Sequence, residues 1–115
     1  MALTIRQRKV SDVVVLDLAG RLWILDLPLR DLMNALLSEG KRCFVLNLAG
    51  IDYIDSSGLG QLITIWTSIR SKSGQLAILN PTTRVQRLFE LTRLNTVFEV
   101  RDNEDEAVKT VGSAS

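Results

Sequence analysis

At 115 residues the chain is long enough for one domain with a core of its own, and it needs no disulfide or metal to hold it. Hydrophobic residues make up 46% and charged residues 23%, an ordinary soluble balance, and a net charge of +1 gives no general attraction to nucleic acid or to an anionic membrane. The chain has no histidine, which excludes Ser-His-Asp and Cys-His catalysis, histidine-containing zinc sites and HExxH metalloproteases together. The single cysteine, Cys43, lies in an apolar run and reads as a buried, reduced thiol that can form no internal disulfide. Arg6, Arg8 and Lys9 are not followed by the apolar run of a signal peptide, and no stretch approaches the length of a membrane span. The expected location is the cytoplasm.

In chain order, Leu3 and Ile5 alternate with polar residues as a short first strand. Ser11-Asp12 is a turn, and Val13 to Leu18, interrupted only by Asp17, pairs back as the second strand of a hairpin that Gly20 ends. Arg21 to Leu27, with Leu22, Trp23, Ile24, Leu25 and Leu27, is too apolar for a solvated loop. It reads as a short strand or tucked loop on the core, with a partner-facing patch as the alternative. Asp26 is a candidate N-cap before Pro28, and Leu29, Leu32, Met33, Leu36 and Leu37 mark an amphipathic helix stopped by Gly40. Cys43 to Leu48 is a strand covered on both faces, followed by a loop through Gly50 and Asp52.

The next helix is expected to carry Leu59, Leu62, Ile63, Trp66 and Ile69 on one stripe, with Gln61, Thr64 and Ser68 opposite, and to close at Ser73-Gly74. Leu76 to Leu79 is a strand and Asn80-Pro81 a break. Thr83 to Gln86 has capping-box spacing ahead of Val85, Leu88, Phe89 and Thr92. Val97 to Val100 is a last strand. Asn103 to Glu106 starts a last helix, with Ala107, Val108 and Val111 inward and Gly112 to Ser115 fraying. The order β-β-α-β-α-β-α-β-α predicts an α/β fold: one domain over 1–115, ordered over about 3–111, with a mostly parallel central sheet, an antiparallel N-terminal edge hairpin and about four helices.

In such sheets function gathers at the carboxyl ends of strands, and there the chain places Ile54-Asp55-Ser56-Ser57-Gly58-Leu59-Gly60. Hydroxyls and free N–H groups at a helix N-terminus tolerate an anion, so one of the serines reads as a switch that gains and loses a phosphate. The bland alternative is a plain helix start. Against it, Gly60 costs the first turns roughly 1 kcal/mol relative to alanine. Gly58 and Gly60 together leave the backbone bare beside the hydroxyls, which suits close approach by a partner. A serine nucleophile has neither a histidine base nor G-x-S-x-G, and no pattern places Lys41 or Lys72 as a base. A phosphate-cradling loop fails because no lysine follows Gly60. The expectation is a protein that is not an enzyme and uses no cofactor or metal.

Leu46-Asn47-Leu48, Ile51 and Tyr53 through Gly60 resemble the signature of STAS domains of the anti-sigma factor antagonist family. Asn80-Pro81, the Val85/Leu88/Phe89 helix and Leu94-Thr96-Val97-Phe98 fit as well, along nearly the whole chain. The resemblance implies a STAS-like fold, with Ser56, the first serine of Asp-Ser-Ser-Gly, as the phosphorylation site. It implies partner switching: the unmodified protein binds an anti-sigma factor that is a serine kinase, phosphorylation releases it, and a PP2C-type phosphatase resets it. In this reading Ser57 starts the helix, while Asp55, Gly58, Leu59, Gly60, Gln61 and Trp23 belong to the motif or the partner surface. A STAS subunit of a larger signalling scaffold or transporter-associated complex, without a switch, is the alternative. The sequence departs from the family at Gly20-Arg21-Leu22-Trp23, where tryptophan stands in place of an acidic residue. That puts the usual acidic contact to the kinase, and so the partner, in question.

Overall fold

The computed structural model describes residues 3–23 and 28–112. Ten elements follow one another: β1 (Thr4–Val10), β2 (Val13–Leu22), α1 (Pro28–Ser38), β3 (Cys43–Ile54), α2 (Ser56–Ser71), β4 (Gln75–Leu79), α3 (Thr83–Leu91), a 3-10 turn (Leu94–Thr96), β5 (Glu99–Arg101) and α4 (Glu104–Gly112). The five strands form one sheet in chain order, with β1 antiparallel to β2 and every other pair parallel. This is the mixed sheet expected from an opening hairpin followed by helical crossovers.

Alternation along β2 sorts the core. Val14, Leu16, Leu18 and Leu22 join Phe44, Leu46, Leu48 and the apolar stripes of α1, α2 and α3 on one face. Val13 and Val15 meet Val45, Ala77, Leu79 and the Ala107/Val111 stripe of α4 on the other. Three helices therefore cover one face, and α4 covers part of the second. Phe89 of α3 and Phe98 meet edge to face at 5.5 Å across the larger core, a favoured geometry for aromatic pairs.

Polar groups outside the cores also tie elements together. Arg8 of β1 donates to Asp17 through Nε at 2.6 Å and Nη2 at 3.0 Å, and its Nη2 reaches Glu104 at 2.7 Å. Asn47 of β3 donates to the same Asp17 carboxylate at 2.8 Å. Hydrogen bonds from Arg8 and then Asn47, against the opposing pull of burial, hold Asp17 below the usual carboxylate range. One network thus joins β1, β2, β3 and the first turn of α4. Cys43 is half-buried rather than buried, and burial pushes its thiol up, so it stays protonated at neutral pH.

Several boundaries differ from the sequence reading. The segment through Gly50 and Asp52 is strand, not loop: β3 runs on to Ile54, paired with β2 alone beyond Asn47. Register shifts leave an extra β3 residue opposite each of two β2 steps, Asp17/Ala19 and Gly20/Arg21. The resulting i, i+3 spacing keeps Leu48, Ile51 and Ile54 in the core and hides the strand from a period-two reading. In α2 the inward residue is Ile65, while Ile63 is 41% exposed. The cap of α3 is Thr82, accepting from the Val85 N–H, one residue before the expected Thr83. The last strand begins at Glu99, since Leu94–Thr96 coils and Val97 is exposed. Gly112 still belongs to α4; residues 113–115, and Ile24, Leu25 and the expected cap Asp26, lie outside the described residues.

Two helix ends follow the glycine logic of the sequence. Gly40, at φ +94°, closes α1 with Gly40 N–H to Leu37 O and Lys41 N–H to Leu36 O, the paired bonds of a left-handed terminus. At the end of α2 Ser73 takes the left-handed position at φ +64°. The next residue must be Gly74, because a Cβ there would stand 2.5 Å from Arg42 O.

Candidate functional site

The switch motif lies where β3 ends and α2 begins. Asp55, extended at φ −104° and ψ −176°, is the N-cap, and its Oδ1 accepts the Gly58 N–H at 2.8 Å. Asp55, not Ser57, therefore starts the helix: the carboxylate satisfies the N–H of the third helical residue and complements the helix dipole. Ser56 is the first helical residue and is exposed; Ser57 is half-buried. Among the described residues no hydrogen bond ties down the Ser56 hydroxyl, and no acidic side chain occupies the first turn.

The two glycines divide their roles differently from the sequence reading. Gly58 is buried, and a Cβ on it would fall 2.1 Å from the carbonyl oxygen of Leu22. The close approach it permits is by its own chain, at the end of β2. Gly60 is exposed with open space around its Cβ position. Leu59 is buried in the larger core and anchors the first turn. Gln61 donates its amide Nε2 to the Trp23 carbonyl, while its buried Oε1 finds no partner among the described residues. The first two turns of α2 are thereby fastened to Leu22 and Trp23 at the carboxyl end of β2.

The same corner carries a cluster that the sequence reading missed. Register sets Arg21 of β2 opposite Tyr53 of β3. The guanidinium carbon lies 5.8 Å from the centre of the Tyr53 ring and 6.0 Å from that of the half-buried Trp23. Arg21 and Tyr53 are both exposed. No spacing rule reveals this grouping, because it depends on the bulges that set the β2–β3 register.

Neither candidate lysine base is near Ser56. Lys72 caps the opposite end of α2, a 16-residue helix and so about 24 Å long. Lys41 precedes β3, at the amino edge of the sheet. A cavity of about 470 Å³ lies beyond the ends of β4 and β5, lined by Asn80, Pro81, Gln86, Arg101, Asp102 and Glu106 among others, and by none of the motif residues. Among the described residues no cluster of acidic and cysteine side chains could hold a metal ion, and no helix is long and apolar enough to cross a membrane.

Comparison with known proteins gives these positions a context. The STAS domain family matches residues 4–107. A Thermotoga maritima protein, provisionally named an anti-sigma factor antagonist, is 32% identical over 104 residues, 89% of this chain and 92% of its own. The anti-sigma-B factor antagonist of Staphylococcus aureus is 30% identical over 100 residues, 86% of this chain and 90% of its own. The crystal structure of the T. maritima protein superposes with a TM-score of 0.85, covering 93% of each chain. The unphosphorylated form of the anti-sigma factor antagonist SpoIIAA shares the fold at a TM-score of 0.71 and 21% identity, over 93% of this chain and 96% of that one. This chain belongs to the STAS domain family, alongside relatives named as anti-sigma factor antagonists.

Proposed function

We propose that this protein is an anti-sigma factor antagonist that works by partner switching in the cytoplasm, with Ser56 as the switch. Unphosphorylated, it binds an anti-sigma factor that is also a serine kinase and so frees a sigma factor for transcription. Phosphorylation of Ser56 by that kinase releases it, and a PP2C-type phosphatase restores the binding form. The observation that carries the reading is the position of Ser56: an exposed, untied hydroxyl on the first residue of a helix whose backbone is held by the Asp55 cap and the Gly58–Leu22 contact.

A phosphate there adds about −1.5 to −2 charges. The helix N-terminus stabilises it by only about 0.3–1 kcal/mol, and the adjacent Asp55 carboxylate opposes it. Carrying the same charge into a desolvated interface costs several kcal/mol, and each 1.4 kcal/mol is about tenfold in affinity. Ejection of the partner therefore outweighs any gain within the fold, and the switch needs no conformational change. Ser57, half-buried one residue further on, presents its hydroxyl less openly.

The test is phosphosite mapping by mass spectrometry after incubation with the serine kinases of the same genome, paired with binding assays. Phosphate on Ser56, loss of binding in Ser56→Asp and kinase-insensitive binding in Ser56→Ala are the expected results. Wild-type binding by both variants defeats the switch. Stable co-purification in a large complex with Ser56 unmodified would instead favour a scaffold subunit.

A further inference from the structure

Arg21 is held in an arrangement that the switch does not explain. Its guanidinium lies beside the rings of Trp23 and Tyr53, at 6.0 and 5.8 Å. These cation–π contacts hold the guanidinium beside the two rings. Among the described residues its N–H donors meet no acceptor, and Arg21 has no ion pair. The contrast on the same face is Arg8, whose donors are taken by Asp17 and Glu104. A second exposed cation, Arg6, stands on β1 opposite Asp17, whose carboxylate is already engaged by Arg8 and Asn47. The nearest acid of the motif, Asp55, is occupied as the α2 cap.

The cluster is continuous with the serine corner. Leu22, between Arg21 and Trp23, offers its carbonyl to the space that Gly58 leaves free, and Trp23 takes the Gln61 amide. The end of β2 that carries Arg21 thus adjoins the first turns of α2.

We propose that Arg21, oriented by Trp23 and Tyr53, is a specificity-determining contact for a carboxylate on the anti-sigma factor that binds at Ser56. The partner's matching surface is acidic at this point, and a planar guanidinium engages it through two parallel N–H bonds. The inference rests on the partner-switching reading of Ser56, so its test keeps the two separable.

Each serine-kinase-type anti-sigma factor of the same genome is purified singly and titrated against the wild type, with affinity read calorimetrically. For the one that binds, Arg21→Glu is expected to weaken affinity about thirtyfold or more and Arg21→Gln about tenfold. Arg21→Lys falls between Arg21→Gln and the wild type, because an ammonium cannot form the two parallel bonds. Added salt weakens the wild type more steeply than Arg21→Gln. Affinity of Arg21→Glu and Arg21→Gln within threefold of wild type, with Ser56→Asp still defective, overturns the role of Arg21 and leaves the switch standing. Loss in Arg21→Glu with Ser56→Asp unaffected overturns the switch and keeps the acidic contact. If no such kinase binds the wild type, both fall.

Discussion

Two arginines stand on the same face of the sheet, and their surroundings differ in kind. Arg8, on β1, is enclosed by Asp17, whose oxygens accept from two of its nitrogens, and by Glu104 at the start of α4. Arg21, near the end of β2, has aromatic rings for neighbours and no ion pair with a carboxylate among the described residues. The first corner is closed by charge and tied to the last helix. The second is closed by backbone packing, through Gly58 against Leu22, and keeps its charge unspent. An ion pair completed within the chain contributes to holding the fold; a cation that the fold positions but does not neutralise is left for recognition. Whether that division is real can be decided by disturbing each corner in turn.

The largest effect is expected at the backbone contact. Gly58→Ala puts a methyl 2.1 Å from Leu22 O, a main-chain atom that cannot rotate away. Overpacking of this kind costs about 2–3 kcal/mol, to be read as a lowered urea midpoint. A midpoint equal to wild type would mean that this corner is not closed by packing at all. Next, Arg8→Met removes the charged hydrogen bonds to Asp17 and Glu104 while keeping the side-chain stem. Partial exposure of all three groups limits the loss to about 1–2 kcal/mol in the same assay.

A smaller effect is expected from acid. The Asp17 carboxyl titrates lower in the folded protein than in the unfolded chain. Its contribution is therefore complete above the ordinary carboxylate value near 4 and is lost as pH falls through the lower folded value. Thermal melts taken downward from about pH 5 should show a shallower decline in Asp17→Asn than in wild type; an equal decline would remove Asp17 from the acid response. The smallest effect belongs to Arg21→Gln, within about 0.5 kcal/mol of wild type. A stability loss matching that of Arg8→Met would erase the distinction between the corners.

The order of elements was legible because the hairpin, the helical stripes and the Gly40 and Gly74 stops each follow a local period or a backbone requirement. What escaped were features set by pairing across the sheet. The end of β3 looked like a loop because two bulges replace alternation by threes, and Ile51 and Ile54 point inward only in that register. Ile63 fits the helical stripe as well as Ile65 does, and only packing decides between them. The motif at 54–60 was visible as a strand-to-helix junction, yet the division of labour within it was not. Asp55 rather than Ser57 caps the helix, and Gly58 serves the fold rather than a visitor. Arg21 gave no signal, since its ring neighbours are assembled partly by β2–β3 pairing.

The Arg8–Glu104 bond joins residues 96 positions apart. Closing a loop of that size costs about 4 kcal/mol of chain entropy, more than the bond itself returns. It can form only after the sheet has already brought the two ends together. The ion pair is thus a product of folding and not a guide to it. On a ribosome it would form late, when α4 emerges and docks beside a strand synthesised 96 residues earlier.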